Sequence, residues 1–229
     1  MTTIPTFHTN GATGCSSGGI TPGLPSGWQI NDIWLLCIET DNEPVTFPAG
    51  WPQIFSRAQG GSTQLQIAWR RATSSESAPT IADAGDHQAG VILGFRGCIT
   101  SIDPFDVISA GANGVSDTPS APSVTTATSN CLVIGFISTS GSSSFSSWTN
   151  SNLSGFVEIL DFACVGGDHN DGSLGAAAGG LGTPGASGSI SVDPTQANPG
   201  WSMTQIALKP ELDPPYRPLR TVLGSNLRY

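Results

Sequence analysis

Four groups of residues in this chain are of types that do chemistry, and each is weighed by its spacing. Gly14-Cys15-Ser16-Ser17-Gly18 matches the G-x-S-x-G pattern of a nucleophile elbow. That elbow needs a strand before the serine and a helix after it. Here Thr, Gly and Ser surround the motif and leave no room for a helix, so the segment reads as a turn. Gly166-Gly167-Asp168-His169-Asn170-Asp171-Gly172 could present oxygens of Asp168, Asn170 and Asp171 to calcium from a tight loop. It lacks the D-x-D-x-D-G spacing and the distal glutamate, and Asp and Asn favour turns by bonding their own backbone. These three residues stand as a weak calcium candidate, with no metal expected. His8, His87 and His169 are scattered without ligand spacing, and Asp86-His87 reads as a polar turn. Paired carboxylates could hydrolyse a glycosidic bond. The acids Glu39, Asp41 and Glu43, like Asp103 and Asp106, cluster in turns where solvation is the default. The expectation is a protein without catalytic residues and without a cofactor.

The six tryptophans and five cysteines come next. Trp34 and Trp69 lie in strand-like runs and are expected in the core. Trp51 and Trp148 sit at corresponding corners, which fits packing at a repeated joint. Stacking of a sugar ring on an exposed indole is the alternative. Cys15, Cys37, Cys98, Cys131 and Cys164 are odd in number and lack a C-x-x-C pair, so no disulfide framework or zinc site is signalled. Cys37, Cys131 and Cys164, inside apolar runs, are expected to act as small buried hydrophobes, in a chain made in a reducing cytoplasm.

The elements that must position these residues are strands. Ile33-Trp34-Leu35-Leu36-Cys37-Ile38 is a short continuous apolar run, as expected of a strand covered on both faces. Gln64-Leu65-Gln66-Ile67-Ala68-Trp69-Arg70 alternates, with Leu65, Ile67 and Trp69 toward a core. Pro44, Pro48, Gly50, Pro52, Gly60 and Gly61 lie between them and exclude a helix. The unit of strand, Trp corner and strand recurs. Residues 130–137 match the first run, Trp148 matches Trp51, and residues 156–163 stand in for the second strand. Residues 89–97 and 200–209 close the two halves. The expected fold is all-β: a two-sheet antiparallel β-sandwich, jelly-roll-like, with an internal two-fold repeat. Residues 1–209 form the sandwich, with half-repeats at about 16–100 and 120–209. Residues 138–147 and 166–188 read as a Ser-rich and a Gly/Ala-rich loop.

The order of these elements resembles a β-sandwich structural protein family common in tailed bacteriophages. The pattern P-x-x-x-x-x-G-D-L-L-L-L corresponds to Pro25 through Asp32 with Trp34-Leu35-Leu36. P-x-G-W is Pro48-Ala49-Gly50-Trp51, and the strand ending R-x-A is Arg70-Arg71-Ala72. F-R-G is Phe95-Arg96-Gly97, and I-A-L-K-P is Ile206-Ala207-Leu208-Lys209-Pro210. The resemblance spans residues 16–210. Asn31 replaces the preferred Gly and suits a turn at positive φ. What the resemblance implies is a virion structural protein of the capsid decoration or minor virion type.

Charge adds a partner. The chain carries a formal net charge of −9 and only 11% charged residues. An acidic body argues against nucleic acid as the main partner, since phosphate binding needs a basic face. No apolar run approaches membrane-spanning length, and Met1-Thr2-Thr3-Ile4-Pro5 does not read as a signal peptide. Residues 210–229 differ from the rest. Pro210, Pro214, Pro215 and Pro218 favour an extended arm. Tyr216, Arg217, Leu219, Arg220, Leu223, Arg228 and Tyr229 are its candidate contacts with a neighbour or with the chain's own body. The expected function is capsid decoration: clamping the major capsid protein or other virion proteins through this arm, with homo-oligomerisation on capsid symmetry. A tail or fibre component and a glycan-binding surface module are the alternatives.

Overall fold

The computed structural model of the chain describes residues 2–165 and 172–212. Among them there is no helix. The strands in chain order are β1 (Thr6–Asn10), β2 (Gly14–Ser16), β3 (Ile33–Thr40), β4 (Gln53–Gln59), β5 (Thr63–Arg71) and β6 (Gln88–Arg96). Then follow β7 (Phe105–Ile108), β8 (Ala112–Val115), β9 (Ser120–Ala121), β10 (Thr125–Thr126), β11 (Cys131–Thr139) and β12 (Phe145–Thr149). The last are β13 (Ser154–Ala163), β14 (Ser173–Leu181), β15 (Gly185–Ala186), β16 (Ile190–Pro194) and β17 (Gly200–Leu208).

Two antiparallel six-stranded sheets form the sandwich. One runs β1-β6-β3-β5-β4, with β2 also on β6; the other runs β13-β14-β11-β17-β7, with β8 also on β17. The two orders are the same path read in opposite directions. β3 and β11 are the central strands, paired on both sides in matching register: Thr40 faces Gln64 and Gln88, and Thr139 faces Ser173 and Trp201. By this register β13 corresponds to β4 and β14 to β5. That corrects the expectation that residues 156–163 stand in for the second strand of the repeat.

The strand that sequence reading took for a loop is β14. Its residues Ser-Leu-Gly-Ala-Ala-Ala-Gly-Gly-Leu are all buried between β11 and β13. Small residues are required because larger side chains fill their space. A Cβ at Gly175 would lie 2.6 Å from Phe145 Cδ2, at Gly179 2.8 Å from Leu153 Cβ, and at Gly180 2.6 Å from Ile4 Cδ1. Ala and Gly carry too little hydropathy to display a period, so the signal vanishes where packing is tightest.

Period-two alternation explains the cores. Ile33, Leu35 and Cys37 point between the sheets, toward Leu132, Ile134 and Phe136 of β11 and Ile206 and Leu208 of β17. Trp34, Leu36 and Ile38 point outward and are covered by Ile20, Val45, Trp51 and Ile81. The outer face of the second sheet is covered by Ala121, Phe145, Ile190 and Val192, largely from the small sheet β12-β16-β9. Both central strands are thus buried on two faces, which is why they read as unbroken apolar runs. The outer face of β5 is covered as well. Gln66 is fully buried, its Oε1 accepting from the Val45 amide and its Nε2 donating to the Glu43 carbonyl.

Candidate functional site

The inter-sheet core is apolar at one end and polar at the other. Glu39, two residues beyond Cys37, falls on the inner face at the end of β3; Thr63 and His87 fall on the same face, one pleat before Leu65 and Ala89. Glu39 is 0% exposed and His87 5%. His87 Nε2 lies 3.0 Å from Glu39 Oε2. Thr63 Oγ1 lies 2.9 Å from Glu39 Oε1 and 3.0 Å from Ser138 Oγ of the second sheet. The single Thr63 proton goes to the carboxylate, which leaves Ser138 to donate to Thr63. Gly172 closes the cluster: a Cβ there would collide with Glu39 Oε2 and lie 2.9 Å from His87 Nε2. These two residues correct the expectation that Glu39 is a solvated turn acid and His87 part of a polar turn. The alternation of β3 carries the signal, because Glu39 continues the inward series Ile33, Leu35, Cys37.

Burial pushes the Glu39 carboxyl up to about 7, against the opposing pull of His87 and Thr63. The hydrogen bond to Glu39 raises His87 above its ordinary value, with further help from Asp41 and Glu43 nearby. An acid and an imidazole in contact resemble a general acid–base pair. Here both are enclosed at the joint between the sheets, and Glu39 is bonded to Thr63, which in turn meets Ser138 of the second sheet. The arrangement suits a structural joint that holds protons.

Beside this joint Cys15 of β2 and Cys164, just after β13, form a disulfide with a Cα–Cα distance of 5.8 Å. It ties the first sheet to the second. This corrects the expectation that Cys164 is a free buried hydrophobe. The two cysteines are 149 residues apart, and pairing at that range is invisible to spacing rules. Cys37, Cys98 and Cys131 are free and buried, and burial raises each thiol. Residues Gly14 to Ser16 of the G-x-S-x-G match form β2, and no helix follows them.

The motif residues of the first half meet as structural pins. Asp32 accepts from Arg96 Nε at 2.9 Å and from Arg96 Nη2 at 2.8 Å, and also from the Gln29 amide. Asn31 holds φ at 75°, a left-handed conformation that Asn tolerates. Trp51 is 4% exposed and stacks on Trp34 with ring centroids 6.3 Å apart. It therefore offers no open face to a sugar. Trp148 is half-buried, packed against Phe145, and its Nε1 donates to Glu158 Oε2 at 2.9 Å. The two corner tryptophans lie in the corresponding crossovers, β3 to β4 and β11 to β13.

Residues 209–212 follow β17 at the apolar end. Beyond β17, the Lys209 carbonyl accepts from the Ile99 amide at 3.1 Å, and the Glu211 amide donates to the Gly97 carbonyl at 2.7 Å. A bridge pairs Cys98 with Pro210. Residues 97–99 directly follow β6, so residues 209–211 are fastened to both sheets. Next to it is a groove of about 340 Å³, walled by residues 4–7 and by Ser154, Val157 and Ile159, with Leu132 and Gly180 in its floor. The calcium candidates Asp168, Asn170 and Asp171 lie outside the described residues, as do Tyr216, Arg217, Leu219, Arg220, Leu223, Arg228 and Tyr229. Among the described residues no three His, Cys, Asp or Glu side chains gather as a metal would need, and no helix is long and apolar enough to cross a membrane. The chain matches no protein-family model, no curated protein and no solved structure.

Proposed function

We propose that the chain is a structural protein of a bacteriophage virion, a capsid decoration protein whose sandwich is the body and whose residues 210–229 hold the neighbouring protein. The observation that carries this reading is the anchorage of residues 209–211. The arm grows from the last strand of one sheet and is hydrogen-bonded to the chain just beyond a strand of the other. Load on the arm is therefore shared by both sheets. The order of sequence motifs supports the virion assignment.

Charge and composition fit the same role. Residues 1–212 carry five basic and sixteen acidic side chains, while residues 213–229 carry three arginines and one aspartate. A cationic, apolar arm on an anionic body steers toward acidic surfaces. Burying a large arm side chain contributes about 1.5–3 kcal/mol, offset by ordering costs of similar size. One arm holds weakly; many copies on one shell hold firmly. The chain acts by binding and holding, without a catalytic step.

The test is capture from a lysate of bacteria producing the phage that encodes the chain. The full chain is compared with a version ending at Leu212. Recovery of the major capsid protein by the full chain alone supports decoration. Recovery of tail proteins, or arm-independent retention on glycans, replaces it with a tail, fibre or surface-binding role.

A further inference from the structure

The groove at the apolar end lies between two sheet edges. β1 pairs only with β6, and β13 only with β14. The outward backbone groups of both strands are unpaired in the sheets, and such edges accept extended chains. The lining between them is apolar: Ile4, Phe7, Leu132 and Ile159, with Val157 59% exposed at the rim. Ala178, Gly179 and Gly180 of β14 complete the lining.

We infer that this groove is the docking site for residues 213–229 of the same chain. Two observations select that occupant. The first is where the chain ends its anchored course. Glu211 bonds Gly97, and Gly97 abuts Pro5 of the groove wall, its Cβ position 3.7 Å from Pro5 Cα. Leu208, two residues before Pro210, pairs with Leu132 of the groove floor. The segment thus starts at the mouth of the groove, and a short tether of this kind raises the local concentration to about millimolar.

The second is composition. Pro214, Pro215 and Pro218 disfavour helix, and Leu219 and Leu223 recur on one side of an extended chain, about 13 Å apart.

The inference deepens the proposed role, because it rests on residues 210–229 being a docking arm. The arm parks on its own body, and a partner that takes the arm must first displace it. The groove then sets a threshold for attachment: clamping proceeds only where the partner's many sites outcompete one local site.

Tyr216 and Tyr229 are the only tyrosines in the chain, so tyrosine-labelled full-length protein reports on the arm alone by NMR. Docking in the groove predicts shifted, broadened tyrosine ring signals with contacts to Ile4 and Val157 methyls. Val157→Arg should return them to sharp, free-peptide positions while the methyl spectrum of the sandwich stays dispersed. Leu219→Asp with Leu223→Asp should do the same without altering the body at all. The wild-type spectrum should be unchanged on hundredfold dilution. Sharp, free-peptide tyrosine signals in the wild type overturn the inference. Signals that sharpen on dilution overturn it in favour of a second copy as the groove's owner. Because no capsid is present, failure here is distinct from failure to capture virion proteins.

Discussion

Glu39 and Ser138 occupy the same register position in the two central strands, and they meet across the sandwich through the hydroxyl of Thr63. The first sheet places a carboxylate there and the second a hydroxyl. Two carboxylates at that distance would repel in a dry interior; one acid with His87 beside it does not. The polar end of the core is thus an asymmetric joint built on two sheets with the same strand order.

This joint makes stability depend on pH. The Glu39 carboxyl rises from 4.5 to about 7, and His87 rises above 6.5. Both groups bind protons more tightly folded than unfolded. Their stabilisation is therefore fully present at low pH and falls as pH climbs from 4.5 through about 7 and beyond. Charges facing the pair are Asp41, Glu43 and, beside Glu43, Asp86. Thermal unfolding scanned from pH 5 to pH 9 should show a declining midpoint, and Glu39→Gln should flatten that decline. A mutant curve parallel to the wild type contradicts the assignment.

Thr63→Val keeps the shape and removes the hydroxyl that joins the sheets. It leaves Glu39 and Ser138 each short of one partner, at a cost of about 1–3 kcal/mol. Denaturant titration with an unchanged slope and a lower midpoint is the expected readout.

Gly172→Ala puts a methyl group against Glu39 Oε2. Overpacking of this kind costs about 1–3 kcal/mol, and the loss should be smaller when Glu39 is Ala as well. A double-mutant cycle measures that coupling.

Cys15→Ser should lower stability by about 2–4 kcal/mol, as expected when a covalent closure of a long loop is removed. Reducing agent should affect the wild type and leave the variant unmoved. Equal sensitivity of both would show that the two thiols are not paired.

Asp32→Asn retains the size of the side chain and weakens its two-pronged bond to Arg96. A loss of about 2 kcal/mol is expected, with Arg96→Lys giving a comparable loss because an ammonium cannot reproduce the fork.

Much of this architecture was legible in the chain. The apolar runs of β3 and β11, the alternation of β5 and the turn residues between them specify sheets buried on both faces. The positive φ of Asn31 agrees with the tolerance of Asn for left-handed backbone at a turn. Glu39 was legible too, since it continues an inward series, but acids nearby in sequence drew it toward a solvated reading. β14 was not legible, because its alanines and glycines are small in order to admit Phe145, Leu153 and Ile4. Cys15 with Cys164 was not legible either: the pairing depends on how two sheets stack, which no local pattern encodes.

The central proposal is that residues 213–229, which follow the segment 209–211 fastened to both sheets, hold the chain on a virion shell. Its most direct measurement is binding of the purified full chain to purified capsids of its phage, compared with the chain ending at Leu212 and with Leu219→Asp, Leu223→Asp. The account predicts saturable binding by the full chain at a stoichiometry set by capsid symmetry, and loss of binding in both variants with an unchanged unfolding midpoint. Equal binding by all three would contradict it and place the contact on the sandwich itself.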